Sequence, residues 1–249
     1  MKVLPDEQIV KNYDSLINVI NKSVSEPRKS NLLKLFDEHS NKIAMAPASS
    51  YPFLHNAFAG GYVDHTINVI KMSRKVYTLW KELNFDMQGY TEQELIFCAL
   101  VHDLGKMGNL EHENYIPNES EWHIKNQQKY FNPNPDISYM KIQDRTLFLL
   151  QHYNIQLSEN EYIAIMTHDG MYDEGNKAYY TGFDLQKKFK TNLPYILHHG
   201  DMMATRFELE RWKNTEIIPK ETKEEVKIKK VSSRVQLQNE FDATMKEFE

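Results

Sequence analysis

The chain of 249 residues has one cysteine, nine glycines and no long apolar run. A single Cys98 excludes a disulfide framework and any zinc site built on thiolates. Its apolar neighbours make it a buried thiol, which fits a reducing, cytoplasmic setting. Nine glycines are about half the usual share for this length. Leu, Lys, Glu, Gln, Met and Ala dominate the periodic stretches instead, and this favours helices over sheets. No segment approaches the ~18 apolar residues needed for a membrane span. The start, Met1-Lys2-Val3-Leu4-Pro5-Asp6-Glu7, turns acidic before a signal-peptide core forms, so a soluble, unexported protein is expected. Positive charge is also short: the formal net charge of -5 disfavours a grip on long nucleic acid through general basicity. Phosphate recognition would then depend on a few placed groups and a metal.

The patterning predicts a mostly helical protein with one main domain. Ile9, Tyr13, Ile17 and Ile20 form one stripe, and Leu32, Leu33, Leu35 and Phe36 form a second. Residues 1–45 are therefore read as N-terminal helices packing on a core domain, 46–212. Residues 46–64 hold two prolines and the pair Gly60-Gly61, which predicts an ordered loop. A helix is expected from His65 to about Leu83. Another starts near Thr91, where Glu94 completes a capping box, and Ser158 with Glu161 repeats that signal. Residues 107–142 read as an irregular insertion with a short helix, and 170–182, with three glycines and three tyrosines, as a lid. A last core helix begins at 191–194 and carries Asp201 in its middle. From 213 to 249 the Lys/Glu run marks a charged C-terminal tail with a partial helical stripe.

Within this frame four helices each bring a metal-compatible residue to an end or an inward face: His65, His102 with Asp103, His168, and Asp201. His102 lies seven residues beyond Leu95 and so continues the apolar stripe of its helix. An imidazole and a carboxylate at the end of the run Phe97 to Val101 need a partner for their polarity, and a shared cation supplies one.

Four segments carry a resemblance: Gly60-Gly61-Tyr62-Val63-Asp64-His65-Thr66, His102-Asp103-Leu104-Gly105-Lys106, Thr167-His168-Asp169-Gly170 and Leu197-His198-His199-Gly200-Asp201. Together they resemble the HD superfamily of metal-dependent phosphohydrolases. Ala46-Pro47-Ala48, followed by His55-Asn56-Ala57-Phe58-Ala59-Gly60-Gly61, is similar to the branch that contains bacterial 3′-to-5′ exoribonucleases. The resemblance covers about residues 46–212 and implies an all-α fold, an HD-domain helical bundle.

That resemblance implies a first divalent ion on His65, His102, Asp103 and Asp201, with Asp103 able to bridge to a second. Nitrogen and carboxylate donors suit Mn, Fe, Co, Ni, Zn or Mg. His168 is the implied ligand or substrate contact of the second ion. The position where two-metal relatives carry another histidine is met by Asp144, with His152 as its rival; otherwise the site holds one ion. Lys106 is the expected phosphate contact or proton donor. His55 and Arg145 are expected on the substrate, Arg206 beside them, and Tyr172, Tyr179 and Tyr180 stacked on a base. The implied reaction is hydrolysis of a phosphate monoester or diester, on a nucleotide or another small phosphorylated substrate. A nuclease acting on single-stranded RNA or DNA, an HD-type di-iron oxygenase and a non-catalytic nucleotide sensor are the alternatives. The sequence leaves a homo-oligomer open.

Overall fold

The computed structural model describes residues 4–182, 184, 186 and 188–214. The expected tail from 215 onward lies outside the described residues. The described residues belong to one compact unit. Three helices open it: α1 (Asp6–Ser23), α2 (Arg28–Glu38) and α3 (Ser40–Met45). Three of the four expected stripe residues, Ile9, Tyr13 and Ile20, are on the buried side of α1, where Leu16 takes the place expected of Ile17, which is half-buried. Tyr13 ties α1 to α2 by donating its hydroxyl proton to the Phe36 carbonyl at 2.5 Å.

The central bundle consists of α4 (Gly61–Glu82), α5 (Glu92–Val101), α7 (Ile142–His152), α8 (Glu159–Thr167) and α10 (Leu193–Lys213). α10 packs most extensively on α4 and also touches α5 and α8. α4 starts four residues earlier than the sequence indicates, because the glycine pair does two separate jobs. Gly60 caps the helix in the left-handed region at φ 82°. Gly61 lets the backbone close on itself, since a Cβ there would fall 2.0 Å from the Asn56 carbonyl oxygen. Both capping boxes form: Thr91 with Glu94 opens α5, and Ser158 with Glu161 opens α8. Glu161 has a second task. Its buried carboxylate takes Arg28 of α2 at 2.5 Å, while the same guanidinium lies 4.3 Å from the Phe97 ring centroid. The N-terminal helices are thereby fastened to α5 and α8.

The insertion has more regular structure than its polar, proline-dotted sequence predicts. After a 3-10 turn over Leu104–Met107, β1 (Tyr115–Pro117) pairs antiparallel with β2 (Phe131–Pro133) around α6 (Glu121–Gln127). Three-residue strands ending in proline leave almost no period-two pattern to read. The expected lid, 170–182, is a run of short helical turns ending in α9 (Lys177–Thr181). Among the described residues these ten α-helices and one two-stranded ribbon make up the regular structure, apart from 3-10 turns, and no helix is long and apolar enough to cross a membrane.

Candidate metal centre

Two helices present their histidines by the same local device. α5 ends at Val101 and His102 follows, its Nδ1 2.8 Å from the Ala99 carbonyl oxygen. α8 ends at Thr167 and His168 follows, its Nδ1 2.7 Å from the Ile165 carbonyl oxygen. A carbonyl only accepts, so Nδ1 must carry the proton in both rings. The neutral ring then offers a lone pair at Nε2. An aspartate follows each histidine and a 3-10 turn follows each aspartate.

The third histidine has its proton fixed across the bundle. His65, buried in the second turn of α4, places Nδ1 3.1 Å from Glu208 Oε2 on α10. Asn68, one turn along α4, donates to Glu208 Oε1 at 2.8 Å. The sequence reading did not single out Glu208. A signal for it was present: it lies seven residues after Asp201, so both share one face of α10. α10 meets α4 closely enough that a Cβ on Gly200 would sit 2.0 Å from Ser73 Oγ.

These elements converge on Asp103. Its carboxylate lies 3.6 Å from His65 Nε2, 3.3 Å from His102 Nε2, 3.7 Å from His168 Nε2 and 2.7 Å from Lys106 Nζ. Asp201 Oδ1 is 3.1 Å from His65 Nε2, and Asp169 Oδ1 is 3.6 Å from His168 Nε2. Among the described residues four overlapping sets of ligand atoms result: a first from His65, His102 and Asp201, a second from His168, Asp169 and Asp201, a third from His102, Asp103 and His168 between them, and a fourth from His55, His65 and Glu208.

The donors fit a divalent ion. Nε2 of His65 and of His102 are buried and have no hydrogen-bond partner, although carboxylate oxygens lie close by. Buried polar atoms are rarely left so, and two of them aimed at the same aspartates mark a place for a shared cation. The charge balance agrees. Asp103, Asp169, Asp201 and Glu208 face one ammonium, Lys106. In response His65 and His168 take up protons. Burial opposes charge on His65, but Glu208 and Asp201 outweigh it and raise its pKa to about 10. Burial likewise opposes charge on His168, and Asp169 and Asp103 raise it to about 9. Asp103 is buried too, yet Lys106 and His102 hold its carboxyl well below the usual range. The Lys106 ammonium, despite its own burial, is raised by Asp103. His55 goes the other way, pushed down to about 4 by burial and by Lys106, although Glu208 lies 3.5 Å from its Nδ1.

A cavity of about 340 Å³ opens over the cluster, bounded by His55, Lys106, Asp169, Tyr172, His198 and Arg206 among others. Of the residues expected from sequence, His65, His102, Asp103, Lys106, His168 and Asp201 thus come together, with His55 and Tyr172 on the cavity wall. His198 joins them, its Nδ1 proton on the His168 carbonyl at 2.7 Å.

Asp144 does not join them. It is on the exposed side of α7, because Gln143, Thr146 and Leu150 make that helix's inward stripe. His152 is exposed as well. The carboxylate beside His168 is instead Asp169, which accepts from the Gln143 amide. Arg145 is buried but spends its guanidinium on Asn114 Oδ1 and on the Ser138 carbonyl, outside the metal cavity. Tyr179 and Tyr180 do not line that cavity either. They pack with Phe189, and Tyr180 donates to the Thr167 carbonyl at 3.0 Å. No family model, no curated protein and no solved structure matches the chain.

Proposed function

We propose that this protein is a cytoplasmic, metal-dependent phosphohydrolase of HD type, acting on a nucleotide or another small phosphate ester. The observation that carries this reading is the pair of buried, unpartnered Nε2 atoms of His65 and His102, facing Asp103 and Asp201 beneath a cavity walled by Lys106. His65, His102, Asp103 and Asp201 would hold one divalent ion, and His168 with Asp169 a second. Such an ion supplies an activated water near neutral pH and neutralises charge on the phosphoryl oxygens.

The chain's own groups then divide the remaining work. In hydrolysis a water oxygen bonds to phosphorus, the ester P–O bond breaks, and the proton that the water gives up ends on the leaving oxygen. Lys106 keeps its proton, since Asp103 raises its pKa, so it serves as a fixed positive charge for the phosphate rather than as the acid. His55 is neutral at pH 7. Its Nδ1 is buried 3.5 Å from Glu208 without a hydrogen bond, and the ring lines the cavity as an uncharged contact for substrate. Glu208 acts through His65, fixing which ring nitrogen carries the proton.

The test is product release from nucleotides, cyclic nucleotides and oligonucleotides by protein loaded with each candidate metal, beside His102→Ala and Asp103→Ala. Both variants should lose the ion and the activity. Folded variants that lose the ion and retain full activity would overturn the proposal, as would a wild type inert across the whole panel. The second ligand set also suits an HD-type di-iron oxygenase. Oxygen uptake by iron-loaded protein separates that chemistry from hydrolysis.

A further inference from the structure

Next to the metal cavity lies a larger one of about 760 Å³, built by the segment 114–145 and by the turn that follows Asp169. The two share a wall, Asp169 and Tyr172. Both volumes fall in the range of small-ligand sites, roughly 300–1,000 Å³. Their chemistry differs. The metal cavity carries Lys106 and Arg206 over Asp103, Asp169 and Asp201, and suits an anion once a divalent ion offsets those carboxylates. In the second cavity the cations are already spent: Lys141 pairs with Asp173 at 2.7 Å, and Arg145 is committed to Asn114 and Ser138. Three carboxylates, Asp169, Asp173 and Glu174, line it with those two cations. An anion is disfavoured there.

What the second cavity does offer is aromatic surface. Tyr115, Tyr139 and Tyr172 line it, and Tyr139 is 91 % and Tyr172 75 % exposed. Tyrosine rings held at a wet surface are stacking platforms for a flat, uncharged, hydrogen-bonding group, which describes a nucleobase. Tyr172 stands where a ligand would cross from one cavity to the other.

We propose that this second cavity is a nucleoside subsite. It takes a base on the far side of the scissile phosphate, beyond Tyr172, so the substrate is a small phosphodiester joining two nucleosides. The proposal rests on the phosphohydrolase reading for the placement of the phosphate.

The experiment is a binding titration on the full-length, metal-loaded chain. Its probes are adenosine monophosphate and a hydrolysis-resistant, phosphorothioate-linked diadenosine. One base stacked in the second cavity should make the dinucleoside bind more tightly by roughly tenfold to a hundredfold. Tyr139→Ala should erase most of that preference, and Tyr139→Phe, which keeps the ring, should restore it. Tyr139 is exposed, so its truncation leaves the fold intact. Equal affinity of the two probes for wild type, or an unchanged preference in Tyr139→Ala, would overturn the subsite. If the protein hydrolyses no phosphate ester the function proposed above falls, while the ratio of affinities still decides the subsite on its own.

Discussion

Loading the protein with a divalent ion should expel protons in a countable way. In the metal-free cluster His65, with a pKa of about 10, and His168, at about 9, are both charged at pH 7.5. The first ion, on His65, and the second, on His168, each need an Nε2 lone pair, so each displaces one proton from its ring. At pH 7.5 the two rings lie about 2.5 and 1.5 below their pKa values, at about 1.4 kcal/mol for each unit. Binding is thus weakened by roughly 3 kcal/mol for the first ion and roughly 2 kcal/mol for the second, relative to a pH where the rings are neutral. The apparent affinity of each ion should climb about tenfold per pH unit between 7 and 8.5. Titration calorimetry with zinc in two buffers of different ionisation enthalpy counts the protons directly. About two are expected where both rings ligate. Release of less than one, or an affinity indifferent to pH, would mean that the rings are not protonated before the ions bind. The stability of the metal-free protein carries the same sign. Both histidines are raised above their unfolded value near 6.5, so their stabilising contribution is complete below that pH and is lost as pH rises through 9 and 10.

Other perturbations probe separate parts of the site. Glu208→Gln keeps the shape but removes the carboxylate that does most to raise the His65 pKa, so the rise of first-ion affinity with pH should level off at a lower pH than in wild type; an unshifted pH profile in the same titration would show that Glu208 does not act through His65. Gly200→Ala forces a methyl group against Ser73 and should cost about 1–3 kcal/mol, seen as a Tm several degrees lower. Because Asp201 is the next residue, ion affinity should drop with it, and a variant with wild-type Tm would mean that α4 and α10 part easily. Asp144→Asn should leave metal content unchanged and stability within about 0.5 kcal/mol; loss of the ion on elemental analysis would return Asp144 to the site.

The sequence was most informative where local chemistry decides local structure. The capping boxes at Thr91 and Ser158 each satisfy helix ends within four residues, so both helix starts could be read from the chain. The residues that converge, His65, His102, Asp103, His168 and Asp201, were legible because they end or interrupt apolar stripes. Glu208 was not, since an acidic residue on an amphipathic helix looks solvated until α4 is known to cover it. Asp144 was favoured on spacing alone, and a difference of one residue, about 100° of helix rotation, separates it from the inward Gln143. The ribbon at 115–133 escaped notice because its strands are too short to display a period. The paired cavities depend on how the insertion folds back toward the turn after Asp169, a long-range matter that no local pattern encodes.

The three histidines differ in how far away their tautomers are decided. His102 and His168 take theirs from carbonyls three residues back, so those lone pairs are set as soon as α5 and α8 form. His65 depends on a carboxylate 143 residues further along the chain. During synthesis the first two donors are ready early and the third is not aimed until α10 docks on α4. If the cluster takes its ion, capture is a late event that reports completion of the bundle. A chain stalled before Glu208 would have most of the ligands and little of the affinity.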